Sequence, residues 1–482
     1  MDKLSAANAT VGAGGAINVD KINLLSPTTQ KKLSLLFTDN SNLANAVSYT
    51  GEGTITYSPI YKYKTTYSVK DGEGYFDFVL PSGGGGNTPT PSDFNPSVLA
   101  APTMAQAGMM ANMSSTMNYA FQHSDGFTKL RAMDRFAAIN ANKYALNDSL
   151  APGGRGLGRG GVSTDFNENL GDYSEFYENK GAWVRPYASF ENIHLKNGPR
   201  VDANSYGTLV GFDTDFKELR HGWDTVFTGY LGYNGAHLTY SGVSTTMNGG
   251  VLGGTQTWYK GNFWTAITAT AGASVAESDT MYGHESNASM MAGIGSKTGY
   301  NFEFKSGKFI LQPIWFMNYS MMKTFDYTNA AGVRINSDPL HTIQLNPSVR
   351  FISNLNHGWQ PYASVGMVWN LMNETKAEAN GVKLPEMSVK PYVEYGVGVQ
   401  KQMGDKFTGF MQAMLRNGGR NGIALTGGFR WALGRDNEKT KVKNEKVMKD
   451  NNVVGVKKQL VTSQTQNDTE TSSRKVLKSL SS

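Results

Sequence analysis

The sequence predicts an all-β fold whose main part is a 12-stranded antiparallel transmembrane β-barrel. Twelve segments between Gly181 and Leu433 alternate between apolar side chains and polar or small ones, and successive side chains of a strand point to opposite faces. Most segments reach the roughly 9–11 residues of a tilted transmembrane strand, whereas sandwich strands average about 5–6. Aromatic residues near the segment ends suit the girdles of a membrane interface.

The last segment, residues 423–433, shows the alternation most clearly. Its predicted lipid face consists of Ile423, Leu425, Gly427, Phe429, Trp431 and Leu433. The other predicted lipid-facing residues are Thr208, Val210, Phe212, Phe216, Met290, Ala292, Ile294, Tyr300, Phe302, Ile343, Leu345, Pro347, Val349, Phe351, Trp359, Pro361, Ala363, Val365, Met367, Trp369, Leu371, Val389, Pro391, Val393, Tyr395, Val397 and Val399. The opposite faces carry glycines and charges of both signs, which a wet lumen accommodates and the dry centre of a sandwich does not.

Two sets of side chains complete the predicted barrel. The predicted girdle residues are Trp183, Tyr187, Tyr206, Phe216, Trp264, Tyr300, Trp359, Trp369 and Trp431. The candidate ion pairs of the lumen join arginines to carboxylates: Arg185, Arg350 and Arg430 with Asp213, Asp215 and Glu394. A large soluble all-β domain with exposed aromatic residues remains the alternative interpretation.

Residues 1–90 read as β-rich and punctuated by glycine. Strand-like runs occur at residues 17–25 and 53–57. The Asp71-Gly72 pair is a hairpin turn signal between the runs 61–67 and 74–80. Such pieces are typical of the end of a stacked-strand coil, although the stretch is too short to show a repeat. Glycine and proline in residues 81–89 predict a flexible linker.

One helix is predicted over residues 103–122, with Thr103 in position to cap it. Its apolar stripe contains Met110, Met113, Met117 and Phe121. About 20 residues at 1.5 Å each span roughly 30 Å, close to the hydrocarbon thickness of a membrane. Polar residues between the stripe positions make it too polar for lipid, so we interpret it as a helix inside the barrel lumen. An amphipathic helix on a soluble core is the alternative.

The rest of the region before the barrel and the chain end are simpler. A second helix is expected over residues 130–145, and a glycine-rich loop over residues 151–180. The domain prediction is therefore a β-rich region at 1–90, a linker and lumen helix at 91–180, a barrel at 181–433 and a disordered basic tail at 434–482.

Composition excludes several classes of protein. The 482 residues contain no cysteine, so neither disulfides nor thiolate metal sites exist. No run of 18 apolar residues predicts a transmembrane helix. The net charge of +6 is concentrated in residues 435–482, which carry 11 Lys and Arg against 6 Asp and Glu. We therefore expect no nucleic-acid partner, because the basic character does not belong to a structured groove.

No motif supports a catalytic, cofactor-binding or metal site, and none is assigned. Residues 156–161 match G-x-G-x-x-G but neither follow a strand nor open a helix. Residues 293–299 contain the elements of a phosphate loop in the wrong order and lie in a predicted strand. The seven histidines are scattered without an H-E-x-x-H motif, and His284-Glu285 is interpreted as a loop pair.

The barrel region resembles the C-terminal translocator β-domain of autotransporters, the type V secretion family. Residues 181–187, Gly-Ala-Trp-Val-Arg-Pro-Tyr, are similar to the family's opening Gly-x-Trp-x-Arg-x-Tyr pattern, and residues 427–432 are similar to its final strand. The order of passenger end, linker, helix and twelve strands matches as well. The resemblance covers residues 100–433, with residues 1–90 as the end of a β-helical passenger.

The resemblance implies an outer-membrane protein of a Gram-negative bacterium that exports an N-terminal passenger and anchors it at the cell surface. It implies a monomer without enzymatic activity or cofactors. The implied partners are outer-membrane lipid, the barrel assembly machinery, periplasmic chaperones and the protein's own passenger. A porin-like channel with a periplasmic N-terminal region and a soluble surface adhesin are the alternatives. Because some autotransporters cleave themselves at an asparagine inside the barrel, Asn112 and Asn118 are noted on the candidate helix.

Both ends of the chain depart from the family pattern. Family members usually end on an aromatic residue of the last strand, which the assembly machinery reads, whereas polar residues 435–482 follow here. Either this tail lies in the periplasm or recognition uses the internal strand. The first residues lack the basic region and apolar core of a secretory signal. We therefore expect the true start of the protein upstream of Met1.

Overall fold

A computed structural model describes residues 4–5, 17–19, 32–37, 47–49, 52–70, 73–82, 89–150, 180–403 and 406–433. Its main part is a barrel of twelve antiparallel strands, numbered here in chain order. Their bounds are β1 Gly181–Lys196, β2 Arg200–Asp213, β3 Trp223–Tyr240, β4 Val243–Lys260, β5 Phe263–Thr280, β6 Gly283–Tyr300, β7 Phe309–Thr324, β8 Leu340–Ser353, β9 Trp359–Leu371, β10 Tyr392–Met403, β11 Phe407–Gly418 and β12 Arg420–Ala432. This confirms the predicted fold class.

The barrel closes where the last strand pairs with the first. Strand β12 pairs with β1 from Ala432↔Gly181 to Arg420↔Ile193, and β1 pairs in turn with β2. Every other neighbouring pair of strands is consecutive in the chain, so hairpin connections build the whole barrel. Closure leaves no strand edge unpaired, which is the condition for a sheet to stand in lipid.

The predicted facing of the strands is confirmed along most of the barrel. Outward residues such as Val397 and Ile294 are exposed, whereas their neighbours Lys297 and Gln400 are buried inside. Three of the aromatic residues predicted for the membrane girdle instead face the lumen: Trp183, Tyr187 and Trp264. Trp183 stacks on His123 at a centroid distance of 4.4 Å, and Tyr187 packs on Tyr119 at 4.8 Å. The prediction was wrong for these three because it used their position near a strand end and ignored that their side chains point toward the lumen.

Two predicted lipid-facing residues also lie elsewhere. Phe216 follows the end of β2 and stacks on the lumen-facing Tyr259, at a centroid distance of 5.5 Å. Val389 belongs to a two-residue strand, Ser388–Val389, which pairs with the end of β1. It is buried, and β10 begins only at Tyr392. In both cases the alternation was extended past the end of the membrane strand.

One long helical segment fills the barrel lumen in place of the two predicted helices. It comprises Pro96–Ala100, a π-helical turn at Ala101–Ala105 and Gln106–Leu150, preceded by a 3-10 turn at Pro91–Asp93. Thr103 lies within the π-helical turn and its hydroxyl points to Met387 Sδ at 3.7 Å, so it is not the N-cap. Residues 123–129, between the two predicted helices, are helical as well.

The N-terminal residues form two small sheets. The strands Leu4–Ser5, Lys32–Phe37, Glu73–Val79, Lys62–Lys70 and Ile55–Tyr57 form the first, and Ile17–Val19 pairs with Val47–Tyr49 in the second. Two pairings are parallel, Leu4↔Leu36 and Ile17↔Val47, as in stacked coils of a β-helix. The predicted hairpin is present, although its turn residues, Asp71-Gly72, lie outside the described residues.

The two ends of the barrel differ. The longest connections, residues 325–339 and 372–391, lie at the end where β1 finishes, called here the loop end. They fold into a four-stranded sheet of Tyr327–Thr328, Arg334–Ser337, Ala377–Ala379 and Val382–Lys383. The short strands Lys217–Leu219 and Phe302–Phe304 and the 3-10 turns Arg220–Gly222 and Asn356–Gly358 lie at the opposite end, called here the turn end. Among the described residues, no helix is long and apolar enough to cross a membrane.

Candidate functional site

The lumen and the helix inside it form the candidate functional site. The helical segment enters at the loop end, where Asn95 Nδ2 donates to Tyr282 Oη at 3.2 Å. It reaches the turn end, where Arg135 Nε donates to Glu303 Oε1 at 2.9 Å. At 1.5 Å per residue, residues 96–135 span roughly 60 Å, which exceeds the hydrocarbon core of about 30 Å. The helix therefore runs through the whole barrel.

The part of the helix near the loop end, residues 98–121, is packed mainly through apolar side chains. The predicted stripe is confirmed, since Met110, Met113, Met117 and Phe121 are all buried. Met104 and Met109 are fully buried as well. The flexible thioether side chain of methionine fills irregular gaps against a curved wall. We call this part of the interface the apolar half.

Small residues bring helix and wall into close contact in the apolar half. A Cβ at Gly293, on β6, would meet the methyl group of Met117, and one at Gly295 would meet Phe121. On the helix, a Cβ at Gly108 would meet Met247 and Leu238 of the wall. The glycines of residues 293–299 thus serve packing and not phosphate binding. Ser114 adds a polar contact, donating from Oγ to Gln344 Oε1 at 2.7 Å.

Residues 122–135 of the helix meet the wall through hydrogen bonds and ion pairs, and we call this part the charged half. Asp125 is completely buried and forms an ion pair with Arg350 of β8. The Arg350 guanidinium also donates to Gln312 Oε1 at 3.0 Å, and Gln312 Nε2 donates to Asn301 Oδ1 at 2.8 Å. Arg350 therefore pairs with a helix carboxylate and not with the wall residues proposed from sequence.

A second ionic contact is centred on Asp213, which is completely buried at the end of β2. Its carboxylate accepts from Arg430 Nε at 2.8 Å and from Thr228 Oγ1 at 2.8 Å. His123 Nε2 of the helix lies 2.9 Å from the same carboxylate. The predicted pair of Arg430 with Asp213 is confirmed. It links the closing strand β12, the second strand and the helix at a single point.

The remaining predicted ion-pair residues have other partners. Arg185 Nη1 donates to Gln122 Oε1 at 3.0 Å, and its guanidinium lies 3.8 Å above the Phe410 ring. Asp215 is exposed and accepts from the backbone N–H of Lys180 at 2.7 Å. Glu394 lies 3.7 Å from Arg416 Nε. Of the three arginines and three carboxylates proposed as lumen ion pairs, only Arg430 and Asp213 pair with each other in the described structure.

Wall residues also hydrogen-bond the helix backbone in the charged half. Tyr259 Oη donates to the carbonyl of Ser124 at 2.8 Å, and Gln360 Nε2 donates to that of Lys129 at 2.6 Å. Gln400 Nε2 donates to the carbonyl of Gly126 at 3.1 Å. Contacts to the backbone depend on the axial position of the helix and not on its side chains. They fix how far the helix extends into the barrel.

A separate charge cluster lies on the wall near the loop end. Glu191 of β1 accepts from Arg420 Nε of β12 at 2.7 Å and from Arg416 Nη1 of β11 at 3.2 Å. Ser189 Oγ donates to the same carboxylate at 3.0 Å. Sequence reasoning missed this cluster, although each residue occupies an inward position of its strand. Its ion pairs link the first strand to the last two strands where the barrel closes.

The segment that joins the N-terminal sheet to the helix is also anchored. Asp93 accepts from the backbone N–H groups of Ser82 and Thr90, both at 2.8 Å. Burial alone would raise the pKa of the Asp93 carboxyl, but these donors outweigh it and hold the pKa below its usual value. Asn95 Nδ2 donates to the carbonyl of Ser58 at 2.8 Å. The sheet and the helix entrance therefore form a connected structure.

The other described residues singled out in the sequence lie in separate parts of the structure. Asn112 is buried on the helix, and Asn118 Oδ1 accepts from Lys297 Nζ at 3.4 Å. His284 pairs with Asp279 at 3.0 Å, while Glu285 accepts from Tyr327 Oη at 3.1 Å. Residues 156–161 lie outside the described residues. Within the described part of the chain, no three His, Asp or Glu side chains are grouped to hold a metal.

Comparison with known proteins agrees with this architecture. Residues 182–413 match the family model of the autotransporter beta-domain. No curated protein matches the chain in sequence. Among solved structures, the beta domain of the Bordetella autotransporter BrkA is 18% identical, with 53% of this chain and 100% of that chain covered and a TM-score of 0.44.

Two further solved structures are similar at low sequence identity. The transport unit of the autotransporter AIDA-I from Escherichia coli is 16% identical, with 61% and 98% of the two chains covered and a TM-score of 0.47. The translocator domain of NalP from Neisseria meningitidis is 12% identical, with 53% and 88% covered and a TM-score of 0.46. Residues 182–413, which form most of the closed, helix-filled barrel, are an autotransporter beta-domain by the family model, and the protein lies in the outer membrane of a Gram-negative bacterium.

Proposed function

We propose that this chain exports an N-terminal passenger through the outer membrane and keeps it anchored at the cell surface. In this proposal residues 1–90 are the end of the passenger and residues 91–180 connect it to the barrel. Residues 181–433 are the translocator, and residues 434–482 are a tail on the periplasmic side. The barrel assembly machinery and periplasmic chaperones insert the protein. The observation that carries the proposal is the helix that runs through the lumen.

The difference in loop length between the two ends of the barrel supports export toward the cell surface. Outer-membrane barrels have short periplasmic turns and longer extracellular loops. The longest connections, residues 325–339 and 372–391, lie at the loop end. The helix enters at this end, because Asn95 contacts Tyr282 and Thr103 contacts Met387 there. The N-terminal sheet therefore belongs outside the cell, while Gly181 and Ala432 lie on the periplasmic side.

The filled lumen supports a tether and not an open channel. Side chains of helix and wall interdigitate along the apolar half, and ion pairs occupy the charged half. A porin requires a water-filled passage. The contacts of the lumen instead hold one segment of the same chain across the membrane. The porin-like alternative therefore has less support than the tether.

The test is surface exposure of the N-terminal region on intact cells. A secretion signal followed by an epitope tag is placed before Met1, and a second tag is placed after Ser482 of the same protein. Protease added to intact cells is expected to remove the N-terminal tag and to leave the C-terminal tag, which reports the periplasmic side. Permeabilising the outer membrane then exposes the C-terminal tag.

The opposite result identifies the alternative. An N-terminal tag that resists protease until the outer membrane is permeabilised would place residues 1–90 in the periplasm and support the porin-like reading. A cell-surface protein recovered without detergent would support the soluble adhesin. A protease-treated sample should also retain a barrel that migrates differently before and after boiling, which shows that the translocator itself remained folded.

A further inference from the structure

The lumen contains a small cavity whose charged lining residues are all basic. It lies in the charged half, between helix residues 122–130 and the wall, and its volume is about 20 Å³. Four cationic side chains line it: Lys129, Arg185, Arg350 and Arg430. Among the described residues that line the cavity, none is acidic. A cavity of roughly 10–15 Å³ holds one water molecule, so a water-sized particle fits here.

Two of the four cations have carboxylate partners and two do not. Arg350 pairs with Asp125 and Arg430 pairs with Asp213. Arg185 instead donates to the neutral amide of Gln122 at 3.0 Å and lies over the Phe410 ring. The Lys129 ammonium lies over the Tyr362 ring, 4.3 Å from its centroid. In the described structure, neither Arg185 nor Lys129 therefore has a carboxylate within ion-pairing distance, and Asp125 attracts both from farther away.

Unpaired hydrogen-bond donors occur in the same place. The Nε–H groups of Arg185 and Arg350 are buried and have no hydrogen-bond partner among the described residues. Both side chains are about 95% buried, with exposed fractions of 4% each. Buried polar groups are paired in the great majority of cases, and unpaired ones indicate a missing water or ion. Surplus positive charge favours an anion over a water molecule, because like charges repel strongly where water is scarce.

We propose that this cavity is a binding site for a small monovalent anion of chloride size, held between Arg185, Arg350 and Lys129. The anion supplies negative charge beside the cationic side chains that have no paired carboxylate. It also accepts hydrogen bonds from the guanidinium groups that have unpaired donors. The small volume excludes organic phosphates. The proposal concerns the folded lumen and does not depend on passenger export.

The direct test uses bromide as a probe. Crystals of the full chain grown in sodium bromide are measured at the bromine absorption edge. We expect an anomalous peak in the cavity, within contact distance of the Arg185 guanidinium. Bromide that appears only at exposed lysines, with none in the cavity, would overturn the proposal.

The solution test compares unfolding in chloride and in gluconate at equal ionic strength. Gluconate is too large for the cavity, so only chloride should stabilise the folded state. At a chloride concentration ten times the Kd, mass action shifts the folding equilibrium about tenfold. The measurement is urea unfolding of the full chain in detergent, followed by tryptophan fluorescence. Equal unfolding in the two salts would contradict the site.

Two variants and a control separate the site from a general salt effect. Arg185→Gln removes one unpaired cation and should abolish most of the chloride response. Gln122→Glu places a carboxylate beside Arg185 and should also remove the response while leaving the fold intact, which covers the case in which Arg185→Gln fails to fold. Arg334→Gln, on the exposed loop sheet, should keep the full response. An unchanged response in Gln122→Glu would overturn the proposal.

Discussion

The two halves of the helix–wall interface solve the same packing problem with different chemistry. The apolar half holds the helix with methionine, alanine and phenylalanine against glycines of the wall. The charged half holds it with Asp125, His123 and backbone carbonyls that pair with specific wall groups. Dispersion contacts depend on fit and tolerate small shifts, whereas ion pairs and hydrogen bonds require defined partners.

This difference indicates which half of the interface sets the axial position of the helix. A shift of the helix by one turn would bring Met104 or Asn112 to the position of Gly108, against Met247 and Leu238 of the wall. The same shift would separate Asp125 from Arg350, leaving both charges buried without their partner, and would also separate His123 from Asp213. The cost of unpaired buried charge is large, so the charged half sets the axial register. The apolar half contributes mainly burial.

Removing the helix tests both halves at once and should have the largest effect. A chain without residues 1–150 should still form the barrel, because the strands pair with one another from β1 to β12. Its planar-bilayer conductance should rise from nearly none to that of an open pore, since both kinds of contact are lost. The full chain refolded in the same detergent is the control. Equal conductance of the two proteins would place the helix outside the lumen.

A glutamate introduced into the apolar half should destabilise the protein much more than one introduced into the charged half. Met109→Glu buries a carboxylate with no partner in the apolar half and should lower the free energy of unfolding by roughly 3–5 kcal/mol. Gln122→Glu places its carboxylate beside Arg185, so its effect should remain within about 1 kcal/mol. Urea unfolding of each variant in detergent measures both values. Similar losses for the two variants would remove the distinction between the halves.

Breaking one ion pair tests how much the charged half contributes to the stability of the protein. Asp125→Asn leaves Arg350 buried without a counter-charge and should cost about 3 kcal/mol of unfolding free energy. The double variant with Arg350→Gln removes the stranded charge and should recover most of the loss. A double-mutant cycle in the same unfolding assay gives the coupling energy. Additive losses in the cycle would show that the two side chains do not interact.

A conservative change in the apolar half should have the smallest effect. Met113 is fully buried, and Met113→Leu keeps its volume, so we expect a loss below about 1.5 kcal/mol. Met113→Ala leaves a cavity and should cost roughly 2–5 kcal/mol. The unfolding midpoints of the two variants measure the difference. A loss for Met113→Leu as large as that for Met113→Ala would mean that this half is as position-specific as the charged half.

Sequence reasoning succeeded where one strand or one helix carried the information. The facing of Val397 and Gln400 followed from the period of two along a strand, and the stripe through Met113 followed from helical spacing. It failed at the ends of strands, because Phe216 and Val389 continue the alternation after the strand has ended. Trp183 was misplaced although its inward neighbour Arg185 shares its parity and indicated the correct face.

The charged pairs show a different limit. Glu191 lies on the first strand, far in the chain from the hairpin that carries Arg416 and Arg420, and becomes their neighbour only when the barrel closes. Arg350 could not be matched to Asp125 from sequence, since the match depends on how deeply the helix enters the lumen.

By itself, the sequence determined the number of strands, most of their facing and the presence of an apolar helix stripe before them. These features are local, because each depends on the periodic order of side chains along a few residues. Only the tertiary structure decided which charges pair, which aromatic residues line the lumen and how deeply the helix is inserted. Those features depend on distances between elements that are remote in the chain, and barrel closure sets these distances.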